Sequence, residues 1–210
     1  MKYLLCILIG YGICVINPSF LLAKARGFDI RKRGSGNAGA SNALILFGKS
    51  LGIACALFDI AKATAAIHLA VFLFPELPYA FSVTAVAGVI GHIFPFYMKF
   101  RGGKGLACLG GTILAFDWRV FLIMLVGEAI FGVIVNYICF VPLTACVIFP
   151  IVYGVMRGDL WGALILCLMI PIIFFKHFEN FVRIKNGTEA RLSFLWNRKG
   201  ELERMHIPNS

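Results

Sequence analysis

An uncharged run over 77–98 leads into the segment Phe100-Arg101-Gly102-Gly103-Lys104-Gly105, and a second uncharged run follows it over 105–116. A run as long as the first is the length of a helix crossing a bilayer. Any fold of this chain must therefore set a glycine-rich, doubly basic turn at a membrane surface. Its three glycines let the backbone turn tightly and bring N–H groups close to a ligand, while Arg101 and Lys104 add charge. Such a turn is an anion cradle. A second polar stretch, Arg33-Gly34-Ser35-Gly36-Asn37-Ala38-Gly39-Ala40-Ser41-Asn42, and a third over 177–189 are equally rich in donors. Three such loops on one membrane face are expected to hold phosphate groups.

Composition places the rest of the chain in the bilayer. Of the 210 residues, 60% are hydrophobic and 14% are charged, and the mean hydropathy is +0.87, well outside the range of soluble domains. The length accommodates about seven spans of ~16 to 22 residues. Residues 1–210 are thus expected to form one all-α polytopic domain, with spans near 3–23, 50–74, 79–98, 105–116, 120–135, 137–156 and 160–175. The first run has the length of a span and no evident small-residue cleavage site, which favours a retained helix over a signal peptide. Asn17-Pro18-Ser19 should break it near its end. The fourth, 12 residues long, is short for a crossing.

Lys and Arg total 20 against 10 acidic residues, a net charge of +10. In a soluble protein that excess would suggest nucleic acid. Here six basic residues lie in 24–49, three in 99–104 and seven in 176–210, so 16 of the 20 mark one side of a membrane. Parity agrees: two spans separate the first region from the second and four separate the second from the tail. The regions about 24–49, 99–105 and 176–210 are accordingly expected in the cytoplasm and the N-terminus outside. The seven cysteines show no C-x-x-C and read as small buried hydrophobes. The sequon Asn186-Gly187-Thr188 falls on the cytoplasmic side and is discounted. Nothing calls for a metal, a redox cofactor or nucleic acid.

Several residues carry two readings. Asp59 and Lys62, spaced i, i+3 within an apolar span, are either a structural ion pair or a support for the site. Glu128 lies mid-span and should face inward, paired or protonated, and Trp118 suits an interfacial anchor. His92 and His177, near the proposed face, are each either hydrogen-bonded structural residues or participants in chemistry. Gly48-Lys49-Ser50 ends like a Walker loop, but Ala43 stands where glycine is required and a helix precedes it. There is no His-x4-Asp, no G-x-S-x-G elbow and no Cys-His arrangement. An enzyme built this way would hold an activated substrate against an acceptor without a covalent intermediate.

Nearly the whole length resembles the bacterial acyl-phosphate:glycerol-3-phosphate acyltransferase family, PlsY. The stretch 34–42 resembles its first motif, S-G-N-P-G-x-T-N, and Gly91-His92-Ile93-Phe94-Pro95 with Phe100 to Ala107 resembles the second. His177-x-x-Asn180-x-x-Arg183 with Gly187-Thr188-Glu189 resembles the third, and Asp59-x-x-Lys62 also matches. The resemblance implies transfer of a fatty acyl group from acyl phosphate to the 1-hydroxyl of glycerol 3-phosphate, giving lysophosphatidic acid in the bacterial inner membrane. It implies phosphate binding by Ser35, Gly36, Asn37, Ser41, Asn42 and the Gly102, Gly103, Gly105 loop, and charge neutralisation by Lys104. His177 and Asn180 would bind and orient glycerol 3-phosphate, with Arg183 and Glu189 beside them and His92, Asp59 and Lys62 in support.

Departures from the pattern accompany the matches. Ala38 replaces proline, Ser41 threonine, Cys139 serine, and Pro142 a small residue. Ile45 stands where arginine is common, and isoleucine cannot bind phosphate. Either phosphate contacts have moved to Arg31, Arg33 or Lys49, or the chain is a paralogue with another donor or acceptor. A transporter or scaffold binding anionic lipid is the reading from another class. It would depend on Asp59, Lys62 and Glu128 and tolerate Lys104→Ala.

Overall fold

A computed structural model describes residues 1–189 and 191–204, and among these there is no strand. The far end of the third polar region, Ala190 and 205–210 with His206, lies outside the described residues. Eleven helices are described: α1 (Lys2–Cys14), α2 (Pro18–Ala25), α3 (Ala40–Phe47), α4 (Lys49–Leu73), α5 (Ala80–Ile93), α6 (Leu106–Phe116), α7 (Trp118–Val135), α8 (Val141–Arg157), α9 (Leu160–Cys167), α10 (Met169–Lys185) and α11 (Arg198–Arg204).

Among the described residues six helical segments have the length and apolarity to cross a membrane: Lys2–Ala25, Lys49–Leu73, Ala80–Met98, Trp118–Val135, Ile138–Arg157 and Leu160–Lys185. The seventh expected span, α6, has 11 residues. At ~1.5 Å per residue it reaches about 16 Å, roughly half a hydrocarbon core. The break at Asn17 falls where proline requires it. Asn17 Oδ1 accepts from Phe20 N at 2.8 Å and so caps α2, with Pro18 in the first turn, and its Nδ2 donates to Ala38 O at 2.8 Å. This cap ties the helix break to the first polar loop.

α4 and α6 meet closely because a side chain at Gly111 would stand 2.3 Å from the Ile60 carbonyl. Thr64 Oγ1 uses that proximity to donate to Gly111 O at 2.9 Å. The main core gathers Val89, Leu109, Phe149, Leu166, Met169 and Ile173 from five helices. All seven cysteines are free and six are buried, as small hydrophobes should be. Glu128 is half-buried and accepts from Thr144 Oγ1 at 2.7 Å, beside an otherwise apolar cavity of about 70 Å³ between α6, α7 and α8. Trp118 lies exposed at the start of α7, where Asp117 caps the helix by accepting from Arg119 N at 2.7 Å.

The third polar region is not a loop. The sequence reading ends the last span near 175, whereas α10 runs unbroken to Lys185. Phe178, Phe181 and Val182 carry an apolar face through the polar residues, and no breaker comes before Asn186-Gly187, where Gly187 adopts φ 72°. His177 and Asn180 therefore sit on one helix face, 2% and 3% exposed.

Candidate active site

Residues from all three polar regions line one cavity of about 260 Å³. Arg31, Ser35, Gly36 and Asn37 come from the first, Arg101, Gly102 and Lys104 from the second, and Phe175, Lys176, Phe178 and Glu179 from α10. Four cations face one carboxylate, which makes the space anion-seeking.

The first wall is shaped by Asn42. Fully buried, its Nδ2 shares two protons among the carbonyls of Ile30, Arg33 and Asn37 at 3.0, 3.0 and 2.8 Å, and its Oδ1 accepts from Ser35 N at 2.9 Å. The side chain holds the loop that presents Ser35 and Asn37; it does not itself line the cavity. Ser41 is exposed on the first turn of α3, also away from the lining. Of the cations considered as substitutes for the arginine absent at Ile45, only Arg31 lines the cavity. Arg33 lies over the Phe28 ring at 4.3 Å, and Lys49 is exposed where α4 begins. Ile45 is buried at 7% exposure. Arg31 is gripped by Asp29, Nη2 to Oδ2 at 2.7 Å, and also donates to the Met98 carbonyl, joining the first region to the second. Hydrogen bonding to Arg31 lowers the Asp29 carboxyl to about 2.

In the second wall the glycine turn is folded onto the end of α5. Gly102 N donates to Ile93 O at 2.9 Å and Gly103 N to His92 O at 3.1 Å, so these two donors are spent on the protein. The start of α6, after Gly105 at φ 95°, has no side-chain cap. A side chain at Gly103 would stand 2.2 Å from His92 Nε2, so glycine is required for the close approach. His92 continues into a buried network: its Nδ1 lies 3.3 Å from Lys62 Nζ and 3.5 Å from Asp59 Oδ1, with Lys62 and Asp59 paired at 2.6 Å. Lys62 also donates to the Ile16 carbonyl, which the break before α2 leaves outside a helix.

The third wall is a relay. The Lys104 ammonium donates to Asn180 Oδ1; Asn180 Nδ2 donates to Glu189 Oε1 at 2.5 Å, and Arg183 Nε donates to Glu189 Oε2 at 2.7 Å. Desolvation lowers the Lys104 ammonium to about 8, and the Arg183 charge adds to that effect while Glu189 opposes it. His177 Nδ1 lies 2.8 Å from the Ile173 carbonyl. Since a carbonyl only accepts, Nδ1 carries a proton, which leaves Nε2 as the acceptor whenever the ring is neutral. Among the described residues no group of three His, Cys, Asp or Glu side chains is placed to hold a metal ion.

The structure thus brings Ser35, Gly36, Asn37, Gly102 and Lys104 to one cavity, with Asn180, Arg183 and Glu189 linked behind Lys104. It sets Asn42, His92, Asp59 and Lys62 in the framework behind the walls. Lys176 and Glu179 were not legible as site residues. Their face of α10 becomes visible only once the helix is continued past 175 with a period of 3.6.

The profile of the family described as "Glycerol-3-phosphate acyltransferase" matches residues 4–187. A curated relative from Oceanobacillus iheyensis, "Glycerol-3-phosphate acyltransferase 1", is 36% identical over 206 residues, 95% of this chain and 99% of that one. Two crystal structures of PlsY, an integral membrane glycerol 3-phosphate acyltransferase, are similar. The glycerol 3-phosphate form superposes with a TM-score of 0.82 at 28% identity over 93% of this chain and 98% of that one. The lysophosphatidic acid form gives 0.79 at 26% identity over 98% and 100%.

Proposed function

Because this chain belongs to the glycerol-3-phosphate acyltransferase family, we propose that it transfers a fatty acyl group to the 1-hydroxyl of glycerol 3-phosphate, giving lysophosphatidic acid for phospholipid synthesis. It is a multi-pass membrane protein of bacteria. The observation that carries the reading is that residues of the first two motifs and a face of α10 line one cationic cavity, with Asn180 of the third motif tied to Lys104 behind it. Two phosphates, one on the acceptor and one on an acyl phosphate donor, account for an anion site this size at a bilayer. The topology that goes with it has seven spans, α6 included, an outside N-terminus, and the three motifs and C-terminus in the cytoplasm.

In this reading Arg31, Ser35, Gly36 and Asn37 grip phosphate from one side, and Arg101 and Lys104, with the uncapped start of α6 beyond them, grip it from the other. Lys104 neutralises charge on the phosphate that leaves. His177 Nε2 and Asn180 orient the acceptor, and Glu189 fixes the Asn180 amide. Asn42 and the His92, Asp59, Lys62 network support the two loops from behind. The 1-hydroxyl oxygen attacks the acyl carbon, the bond from that carbon to phosphate oxygen breaks, and the hydroxyl proton passes to a phosphate oxygen. Phosphate is a good leaving group, so orientation and charge stabilisation supply the acceleration.

The transport reading is disfavoured because Asp59 and Lys62 are bonded to each other, and Glu128 bonds Thr144 in a separate cavity. The test is transfer of label from glycerol 3-phosphate into lysophosphatidic acid by purified protein, with acyl phosphate and acyl-CoA as separate donors. Product from acyl phosphate alone supports reaction and donor together. No product with either donor, from folded protein, points to a paralogue with another acceptor, as Ile45 allows.

A further inference from the structure

The third motif does not stand on α10 alone. After Gly187 the chain returns across it, and residues 191–204 form a 3-10 turn, Leu192–Leu195, followed by α11. The family match ends at 187, before this segment.

The segment is held at both ends. At one end Leu192 N donates to Asn136 O and Ser193 N to Asn136 Oδ1, each at 3.0 Å. Asn136 is the left-handed residue, φ 59°, at which α7 ends. At the other end the Arg204 guanidinium donates to the carbonyls of Gly187 and Glu189 and pairs with Glu201 at 2.7 Å. The Glu201 carboxylate is 6% exposed and also accepts from Ser193 Oγ at 2.9 Å, so it closes the segment on itself and aims Arg204.

Glu189 is therefore fixed from two sides. Its carboxylate is bonded to Asn180 and Arg183 on α10, while its carbonyl is bonded to Arg204 on the returning segment. An unbroken chain of bonds leads from Arg204 through Glu189 and Asn180 to the Lys104 ammonium at the cavity. We propose that the segment 191–204 is a strap that sets the acceptor-holding face of α10, with Arg204 as its positioning residue. Releasing the Glu189 carbonyl frees its carboxylate to turn, the Asn180 amide loses its fixed orientation, and Lys104 loses its acceptor.

The kinetic part of this inference rests on the acyl-transfer reading above, and the test keeps the two separable. Arg204→Ala, Arg204→Lys, Glu189→Gln and the double variant are made in the full chain. Hydrogen exchange is followed at the Thr188 and Glu189 amides, which donate to Arg183 O at 2.9 and 3.2 Å. Arg204→Ala is expected to speed that exchange and to raise KM for glycerol 3-phosphate about tenfold, with a smaller effect on KM for the acyl donor through Lys104. Arg204→Lys recovers part of the loss, and Arg204→Ala adds little in the Glu189→Gln background, because both act through one carboxylate. Wild-type KM for glycerol 3-phosphate in Arg204→Ala, equal effects on donor and acceptor, or full additivity would each overturn the strap. If Arg204→Ala does not fold, Glu201→Gln loosens the same guanidinium and is judged by the same criteria. If the wild-type chain makes no lysophosphatidic acid, the substrate reading fails and exchange alone decides: faster exchange in the variant upholds the strap, and unchanged exchange removes it.

Discussion

Two networks of charged side chains link the helices of this protein, and they end differently. Asp59, Lys62 and His92 are 1%, 5% and 3% exposed, and among the described residues their side chains bond one another and the Ile16 carbonyl, with Gly103 packed against the His92 ring. Lys104, Asn180, Glu189 and Arg183 form a chain of similar length, but its first member also lines an open cationic cavity. The first is closed by protein, so removing a member should cost the fold. The second is open at Lys104, so removing that member should cost chemistry.

The most damaging change should be Asp59→Ala. It leaves the Lys62 ammonium buried without its carboxylate, which costs roughly 3–5 kcal/mol. Thermal unfolding in detergent checks this, and a variant as stable as wild type would erase the distinction between the networks. Lys104→Ala should do the reverse. Turnover is expected to fall about 10²- to 10³-fold, the usual loss for one donor to developing charge, while the unfolding temperature holds. A loss of stability matching that of Asp59→Ala would make the open network a scaffold too.

A smaller effect is expected from His177→Gln, about tenfold in kcat/KM for glycerol 3-phosphate, the scale of one hydrogen bond to a charged group. Full activity in that variant would remove the histidine from the site. The mildest test is pH. Because the Lys104 ammonium is lowered to about 8, it is intact below that value and lost above it, so kcat/KM should decline as pH rises through about 8. Lys104→Arg should move that limb to higher pH, and a limb that stays in place would assign it to another group.

Local chemistry made much of this legible in the sequence. The apolar runs gave the helices, Asn17-Pro18 gave the break within the first span, and the i, i+3 spacing of Asp59 and Lys62 gave their pairing. The reading failed where a backbone donor's partner lies far along the chain. The glycine turn suggests free N–H groups at 102 and 103, yet these are bonded to carbonyls of α5. Asn42 reads as a phosphate ligand because its amide suits one, yet four loop atoms occupy it. The end of α10 was misplaced because charged residues resemble a loop when the apolar face between them is not counted.

By itself the sequence determined what depends on composition and short spacing. It fixed a helical membrane protein with three polar, donor-rich regions and the residue types that can bind phosphate, because burying a helix in lipid requires uncharged runs whose length can be counted. Only the tertiary structure decided how those donors are used. The bonds from Gly103 to His92, from Asn42 to the first loop and from Arg204 to Glu189 satisfy groups whose partners are set by folding. A buried polar group must find a partner, and which one it finds depends on what packing brings within about 3 Å.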